Sequence, residues 1–538
     1  MHVAGQPSDQ GSYDQVHKAL STSQRGSYGD LAYMPVFRAS AIFYAVCSPH
    51  INTCVGFLNY WREKNQVDGI GVMVTLRDAG GNKKLRQHRR LAEMTGLYDV
   101  RELLQSAGHN AADFSGSIEL EFFSAEDLKF QFPGVSVFYR TPGGTSYVHT
   151  NQRVYNHAED KARGSALNAW QTGFDVFAQQ GAFVFLVNGP AEYQGGSAQL
   201  VAIRANGESY STALALPAMT PYGVYKWHPC SVPGLLDFMG LKPGMCKLDL
   251  PFDDIHLRLG VGHAVSAASP QEQWLTVTHS FFDGITTQDY FDTSQLQKEV
   301  CPAFIPFVLP ADLNLEVVLY PIYSPCTIQL TLSGYSEQGA IQFALGVGSY
   351  QSPAGGIRRL NIRQLLASAA SSSDCSLYVL RFDPVDVQKL PNRITYGLNF
   401  HKGERLGTNI SASAYVARSW GVGQRSWKWG AVVVDEHASN QIMVCAFRNA
   451  VATATARADT AAGTISIYDR EGVVASARFC LKDGTAATFY AEALLKEAHF
   501  CAKADSILWY VVESAQPWLD VVGITVSAQG NVGGDHSF

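Results

Sequence analysis

Apolar and polar residues alternate along this chain in short runs, which glycine, asparagine, aspartate and serine separate. Residues 117–123, Ser-Ile-Glu-Leu-Glu-Phe-Phe, and residues 464–468, Thr-Ile-Ser-Ile-Tyr, are typical. Runs of about four to eight residues with a period of two predict β-strands, because successive side chains of a strand point to opposite faces of its sheet. The pattern indicates a chain built mainly from short strands.

Tight-turn sequences join several of these runs. Asp78-Ala79-Gly80-Gly81 lies between two of them, and Asn206-Gly207 lies between another two. Glycine and asparagine accept the left-handed backbone that short hairpin turns require, so both sites predict antiparallel hairpins. Long amphipathic helix patterns between the strands are absent from the sequence, which argues against an α/β fold. The predicted fold class is all-β, with tandem antiparallel β-sandwich modules and short helical turns.

A Leu-Leu doublet that occurs four times suggests how many modules there are. The first leucines are Leu103, Leu235, Leu365 and Leu494, so the successive spacings are 132, 130 and 129 residues. Units of roughly 130 residues are ordinary domains. We expect each doublet to anchor a helix of one or two turns with both leucines buried. The simplest interpretation is one module that is repeated four times.

The sequences around the doublets group the modules into two duplicated halves. Residues 99–104, Asp-Val-Arg-Glu-Leu-Leu, match residues 361–366, Asn-Ile-Arg-Gln-Leu-Leu, in chemical type at every position. Both begin with a residue suited to N-capping. The predicted boundaries are an N-terminal tail at 1–30, module one at 31–150, a junction and module two at 151–290, module three at 291–415, and a junction and module four at 416–538.

Charge and composition exclude several functions. Lys and Arg number 41 against 47 Asp and Glu, a formal net charge of −6, whereas nucleic-acid-binding domains are usually basic. No apolar stretch approaches the ~18–20 residues of a membrane-spanning helix. We therefore expect neither a nucleic-acid partner nor a membrane span.

Cysteine use and the first residues suggest a compartment. The ten cysteines are scattered, with no Cys-x-x-Cys pair, which is typical of buried thiols in a reducing environment. The start of the sequence lacks the basic and apolar regions of a secretory signal. The expected location is the cytoplasm, and export by a route that needs no signal stays open.

The connection after module one carries the first candidate ligand-binding residues. If this stretch is extended, His149, Asn151, Arg153 and Tyr155 lie on one face. An imidazole, an amide, a guanidinium and an aromatic ring together suit a polar ligand such as a sugar or an anionic group. The alternative is a polar edge strand that ties modules one and two together.

The junction between modules three and four carries the second set. Trp420, Trp427 and Trp429 lie among two arginines and a lysine, and alternation places Trp427 and Trp429 on one strand face. Such rings can form a stacking platform for sugars or cations. The alternative is that they bury the contact between the modules, since aromatic residues are enriched in interfaces.

Standard catalytic and metal-binding motifs are absent. The sequence has no Gly-x-Ser-x-Gly, P-loop, His-x-His or His-Glu-x-x-His pattern, so we expect no catalytic residue, no cofactor and no metal. One short repeat is unexplained by this scheme: Thr278-His279-Ser280-Phe281 resembles Asp535-His536-Ser537-Phe538.

Three functional hypotheses follow from the sequence. The leading one is a non-enzymatic binding or assembly protein that recognises carbohydrate or a protein partner at the junctions, with a homo-oligomer as a further option. The first alternative is a carbohydrate-active enzyme with its site near His149, Arg153, His279 and Asp283. The second alternative is a structural coat or filament subunit. The missing motifs and the aromatic and Arg-rich junctions favour the first hypothesis.

Overall fold

A computed structural model gives the arrangement of most of the chain. Within the described residues the chain forms antiparallel sheets with five short α-helices, which confirms the all-β prediction. No helix of this part of the chain is long and apolar enough to cross a membrane. The structure describes residues 37–126, 128, 133–149, 170–176, 181–204, 206–240, 244–250, 258–265, 273–278, 281–283, 290–296, 301–320, 324–352, 358–368, 375–385, 388–403, 405, 407–415, 425–448 and 460–538.

The first segment forms one eight-stranded sheet with two halves. Its elements are Phe37–Cys47 (β1), Asn52–Leu58 (β2), Tyr60–Asn65 (α1), Gly71–Asp78 (β3), Lys83–Arg90 (β4), Thr95–Asp99 (β5), Val100–Ser106 (α2), Phe114–Ser124 (β6), Val135–Thr141 (β7) and Gly144–His149 (β8). Hydrogen bonding orders the halves as β4-β3-β6-β1 and β5-β2-β7-β8. The pairing of Cys47 with Asn52 joins them.

The second segment forms two sheets around a core of its own. They run in the orders β12-β11-β14-β9-β17 and β13-β10-β15-β16 and consist of Trp170–Val176 (β9), Ala182–Val187 (β10), Gly196–Ile203 (β11), Ser209–Leu216 (β12), Val224–Trp227 (β13), Gly244–Leu250 (β14), Arg258–Val265 (β15), Trp274–Thr278 (β16) and Phe281–Asp283 (β17). A 3₁₀ turn, Pro229–Ser231, and the helix Leu235–Met239 (α3) follow β13.

The third segment begins with a short strand and a 3₁₀ turn, Tyr290–Asp292 (β18) and Thr293–Gln295. The elements after it are Ala303–Phe307 (β19), Asn314–Leu319 (β20), Cys326–Tyr335 (β21), Ile341–Ser352 (β22), Arg358–Asn361 (β23), Ile362–Ser368 (α4), Leu377–Pro384 (β24), Lys389–Pro391 (β25), Arg393–His401 (β26) and Thr408–Tyr415 (β27). The sheets are β19-β24-β21-β22, β23-β20-β26-β27 and the small pair β18-β25.

The fourth segment also forms two four-stranded sheets. Its elements are Ser426–Val433 (β28), Ser439–Ala446 (β29), Thr460–Tyr468 (β30), Val473–Lys482 (β31), Thr485–Tyr490 (β32), Ala491–Glu497 (α5), Ile507–Ser514 (β33), Leu519–Val526 (β34) and Val532–His536 (β35). The sheet orders are β28-β33-β30-β31 and β32-β29-β34-β35.

One strand order recurs in all four segments. If the strands of the first and fourth segments are numbered from one to eight, their sheets run 1-6-3-4 and 5-2-7-8, and a short helix follows strand five. The second segment shows this order with β17 added, and the third shows it with β18 and β25 added. The shared order agrees with a repeated module. The domain boundaries and the duplication of a two-module unit stay predictions.

Each Leu-Leu doublet lies in the short helix after the fifth strand. Both leucines are buried in α2 and α5. In α3, however, Leu235 is buried while Leu236 is 42% exposed, and in α4 Leu366 is buried while Leu365 is half-buried. The expectation that both leucines are buried is therefore wrong for α3. Neighbouring helix residues point about 100° apart, so a short helix with a narrow contact buries only one of them.

The arginine that precedes two of the doublets donates to carbonyl groups of the corresponding loop in both segments. Arg101 donates from Nη2 to the carbonyl oxygen of Ser48 at 2.6 Å. Arg363 donates from Nε to the carbonyl oxygen of Leu313 at 2.7 Å and from Nη2 to that of Pro310. Ser48 lies in the loop between β1 and β2, and Pro310 and Leu313 lie in the corresponding loop between β19 and β20. The Arg-x-Leu-Leu sequence thus holds the short helix against that loop.

Replacing Arg363 with methionine removes these charged donors and keeps much of the apolar stem. The carbonyl groups of Leu313 and Pro310 then lose a charged partner, so we expect a loss of about 1.5–3 kcal/mol in the free energy of unfolding. Urea denaturation followed by circular dichroism measures it. Arg89→Met changes an exposed arginine of β4 and should shift stability by no more than about 0.5 kcal/mol. Equal losses in the two variants would contradict the role given to Arg363.

The fourth segment contacts both the first and the third. Nδ2 of Asn531 donates to the carbonyl oxygen of Gly143 in the first segment at 3.0 Å. Oγ1 of Thr408 in the third segment donates to the carbonyl oxygen of Gly534 in β35 at 3.2 Å. Buried apolar residues of the fourth segment belong to core clusters of both neighbours. The two candidate sites described next lie where the fourth segment meets the first and where it meets the third.

Candidate functional site

Three of the residues predicted to bind ligand meet at the contact between the first and fourth segments. His149 ends β8, and Trp427 and Trp429 belong to β28. The Phe538 ring connects them, because its centroid lies 4.6 Å from that of His149 and 4.9 Å from that of Trp429. The other predicted residues lie outside the described part of the chain; they are Asn151, Arg153, Tyr155 and Trp420.

Trp427 and Trp429 lie on one face of β28, and the first segment covers that face. They are 5% and 4% exposed. Tyr60 of α1 stacks on Trp429 with centroids 4.7 Å apart. Nζ of Lys64, also in α1, lies 5.4 Å and 5.3 Å from the two indole centroids. The rings thus form part of the buried contact between the segments, and a ligand-binding role for them stays a prediction.

A glycine gives the Trp429 ring its space. A Cβ atom on Gly134 would lie 2.6 Å from Cζ2 of Trp429, which is too close for two carbon atoms. Any larger residue at position 134 must therefore displace the indole ring.

Asp535 fixes the position of His149. The backbone N–H of His149 and its Nδ1 both donate to Oδ2 of Asp535, at 2.6 and 2.7 Å. Oδ1 of Asp535 accepts the backbone N–H of His536 at 2.8 Å. Nδ1 of His536 lies 3.2 Å from the carbonyl oxygen of Ser537. A carboxylate and a carbonyl only accept, so each imidazole carries its proton on Nδ1 and its lone pair on Nε2.

Burial keeps both imidazoles neutral. It lowers the pKa of His149 to about 3. Burial, and then the neighbouring His149 ring, lower the pKa of His536 to about 4. The two ring centroids are 4.5 Å apart. At neutral pH both imidazole rings are therefore uncharged.

A second site, a cavity of about 500 Å³, lies between the third and fourth segments. This volume falls in the range of roughly 300–1,000 Å³ that is usual for small-molecule sites. Ile341, one of the lining residues, is 62% exposed, so the cavity is open to solvent. The lining residues are Cys301, Thr331, Ser333, Tyr335, Gly339, Ile341, Ala344, Val379, Arg381 and Asp383 of the third segment, and Phe447, Asp483 and Gly484 of the fourth.

Two ion pairs border this cavity. Arg381 donates from Nε and Nη2 to the two carboxylate oxygens of Asp383, at 2.6 and 2.7 Å. Arg448 donates its backbone N–H to Oδ1 of Asp483 at 2.7 Å, and its Nε lies 3.4 Å from Oδ2. Arg381 and Asp383 each keep 29% of the side chain exposed. Charged groups of both signs thus lie at the cavity wall.

The thiol and the phenol of the cavity stay protonated at neutral pH. Burial raises the pKa of Cys301 to about 12. Burial, with the neighbouring Cys301 and Asp483, raises the pKa of Tyr335 to about 12. A thiol with so high a pKa is a poor nucleophile, whereas a neutral tyrosine can donate and accept hydrogen bonds. The chemistry of these two residues suits binding better than covalent catalysis.

Sequence reasoning did not find the cavity. The one local signal is Arg381-Phe382-Asp383, in which alternation places a cation and an anion on the same strand face. Asp483 and Gly484 form the turn between β31 and β32, far away in the sequence. No short-range pattern connects that turn with Arg381.

Comparisons with known proteins give no family. No protein-family model and no curated protein matches the chain. One match among the solved structures is the crystal structure of trypsin-activated alpha-2-macroglobulin from Escherichia coli. The sequence identity is 10% and the TM-score is 0.11. The match covers 90% of this chain and 30% of that chain. The chain thus spans less than a third of that protein's length, and so low a score supports no argument about fold or function.

Proposed function

We propose that this chain is a non-enzymatic binding protein built from β-sandwich segments, and that it takes a carbohydrate in the cavity between its third and fourth segments. The observation that carries the proposal is the cavity itself, a solvent-open space of about 500 Å³ at a contact between segments. The cavity lies at a different contact from His149, Trp427 and Trp429.

The lining groups suit a ligand with many hydroxyl groups. Thr331, Ser333 and Tyr335 present hydroxyl groups, and Arg381 and Asp383 present charged donors and acceptors. A sugar hydroxyl both donates and accepts, so it can bind to a carboxylate and to a guanidinium at the same site.

Aromatic rings supply the apolar part of such a site. The Tyr335 and Phe447 rings lie 5.6 Å apart, centroid to centroid, in an edge-to-face arrangement. The C–H face of a sugar ring can pack against surfaces of this kind, while its hydroxyl groups reach the polar wall. A cavity that combines both kinds of surface fits a carbohydrate better than a purely apolar ligand.

A substitution that fills the cavity tests the proposal. Ala344 lines the cavity and is exposed, so Ala344→Trp puts a bulky ring into the space without disturbing the core. On a panel of immobilised glycans we expect the wild type to bind a subset and Ala344→Trp to lose at least tenfold in affinity for that subset. Ala462→Trp, at an exposed alanine of β30, is the matched control and should bind as the wild type does.

Two results would contradict the proposal. One is a wild type that binds none of the glycans. The other is an Ala344→Trp variant with the affinity of the wild type, which would place the ligand elsewhere. Circular dichroism of both tryptophan variants shows whether the fold is intact.

An enzyme that acts on carbohydrate is the second candidate. The cavity wall contains two carboxylates, Asp383 and Asp483, and glycoside hydrolysis commonly uses a pair of them. Of the residues that the sequence suggested for such an enzyme, Asp283 lies in β17, while Arg153 and His279 lie outside the described residues. Release of new reducing ends from a bound glycan would favour the enzyme over the binding protein.

A structural coat or filament subunit remains the third hypothesis from the sequence. Such a subunit forms large closed or open arrays. Native mass spectrometry measures the number of chains in the assembly directly. A monomer or small oligomer is the result that the binding protein predicts.

A further inference from the structure

We propose that strand β4 is a binding surface for a linear polysaccharide that carries sulfate groups. Its residues 83–90, Lys-Lys-Leu-Arg-Gln-His-Arg-Arg, include five Lys and Arg and no Asp or Glu, although the chain as a whole has a net charge of −6. Lysine- and arginine-rich runs of five to eight residues are typical of sites for polyanions such as heparin. The surface belongs to the first segment, so the inference is independent of the cavity between the third and fourth segments.

A β-bulge brings most of the basic side chains onto one strand face. Lys83 pairs with Arg77, while Leu85 pairs with Leu76, so one extra residue lies between the two pairs. The extra residue changes the alternation of side chains along the strand. Lys83 therefore lies on the same face as Arg86, His88 and Arg90. All four are exposed, and they form a row about 20 Å long, since a strand rises ~3.3 Å per residue.

The charge of this sheet face is positive even with its acidic residues included. Its two carboxylates are bound by arginines: Nη1 of Arg77 lies 2.8 Å from Glu119, and Nε of Arg38 lies 2.9 Å from Glu121. Arg86 also contacts Glu121, at 3.4 Å, and keeps 46% of its side chain exposed. Strands β1, β3, β4 and β6 thus place five Lys or Arg side chains on this face against two carboxylates.

Two cations of the row are available to an anionic ligand. Within the part of the chain that the structure describes, neither Lys83 nor Arg90 forms an ion pair, whereas Lys84 pairs with Asp78 at 2.9 Å. A sulfate group can therefore bind to Lys83 or Arg90 without displacing a carboxylate of the protein.

Protection of a sheet edge does not explain the charge of β4. Charged side chains on an edge strand often prevent it from pairing with other chains. Strands β12, β22 and β31 take the place of β4 in the other segments and also lie at the ends of their sheets. However, β12 and β22 contain no charged residue, and β31 contains only Arg478 and Lys482. The module is therefore built three times without such a row, and the row is specific to the first segment.

The shape and composition of the row favour a sulfated polysaccharide. A row about 20 Å long suits a linear ligand with repeated anionic groups better than a single small anion. Arginine binds oxyanions through two parallel N–H groups, and lysine binds them as a point charge. Surfaces for single-stranded nucleic acid usually add aromatic rings on which the bases stack, and β4 contains no Phe, Tyr or Trp.

Titration of the full chain with a fluorescent heparin octasaccharide at about 0.15 M salt tests the proposal. The double variant Lys83→Gln/Arg90→Gln removes the two cations that form no ion pair, and it should lose at least tenfold in affinity. Arg478→Gln/Lys482→Gln is the matched control, because it makes the same change of charge at exposed positions of β31, and it should bind within twofold of the wild type. Circular dichroism shows whether both variants keep the fold.

Two other ligands and one other variant make the test specific. Heparin without its sulfate groups and single-stranded DNA of the same length should both bind at least tenfold more weakly than heparin. Ala344→Trp should bind heparin as the wild type does, because its substitution lies in the cavity. The glycan panel that tests the cavity is therefore composed of glycans without sulfate groups.

Three results would overturn the proposal. The first is a wild type that does not bind heparin. The second is equal loss of affinity in the two double variants, which would mean that the overall charge and not β4 determines binding. The third is tighter binding of single-stranded DNA than of heparin, which would assign the surface to nucleic acid.

Discussion

Replacing Trp429 with alanine should lower the free energy of unfolding by about 3–5 kcal/mol, the usual cost of removing a large buried aromatic side chain. The ring is 4% exposed and stacks on Tyr60 and on Phe538. Its loss leaves a hole between the first and fourth segments, which the surrounding structure fills only in part. Urea denaturation followed by circular dichroism measures the loss, and limited proteolysis shows whether the two segments separate.

Two further variants show whether packing is the cause. Tyr490→Ala removes an aromatic ring that is 49% exposed and should change stability by no more than about 0.5 kcal/mol. Trp429→Phe keeps much of the stacking, and among the described residues Nε1 of Trp429 has no hydrogen-bond partner to lose. It should therefore cost less than Trp429→Ala. A Trp429→Ala variant as stable as Tyr490→Ala would contradict the account of this contact.

The second large effect is expected within a single leucine doublet. Leu235→Ala should cost about 2–5 kcal/mol, as other large-to-small substitutions in cores do, because Leu235 is 1% exposed. Its neighbour Leu236 is 42% exposed, so Leu236→Ala should cost less than about 0.5 kcal/mol. The two variants differ from the wild type by the same atoms and lie in the same helix. Urea midpoints that fall together would contradict the assignment of one leucine to the core.

Features that depend on neighbouring residues could be predicted from the sequence. The turn at Asp78-Ala79-Gly80-Gly81 joins β3 to β4, and the turn at Asn206-Gly207 joins β11 to β12. Asp99 accepts the N–H of Glu102 at 3.1 Å and caps α2. In each case the residues that determine the conformation lie within a few positions of one another. The all-β class follows from many such signals.

Contacts between segments could not be predicted in this way. The period of two places Trp427 and Trp429 on one face, but it does not say that Tyr60 stacks on Trp429. The same holds for Leu236, whose exposure depends on how wide a face α3 presents to its core. A linear pattern gives the orientation of a side chain relative to its own strand or helix. It does not give the partner.

The two candidate sites have different surroundings. The histidine pair lies among aromatic rings where the first and fourth segments meet. The cavity opens to solvent beside Ile341 and Arg381, so a ligand there would be exchanged with the surroundings. Binding activity is therefore expected at the contact between the third and fourth segments.

A crystal structure of the chain with the glycan that binds most tightly on the panel tests this claim most directly. The account predicts glycan density in the cavity, with a sugar ring against Phe447 and Tyr335 and hydroxyl groups within hydrogen-bonding distance of Arg381 and Asp383. Glycan density elsewhere on the chain, with the cavity empty, would contradict it.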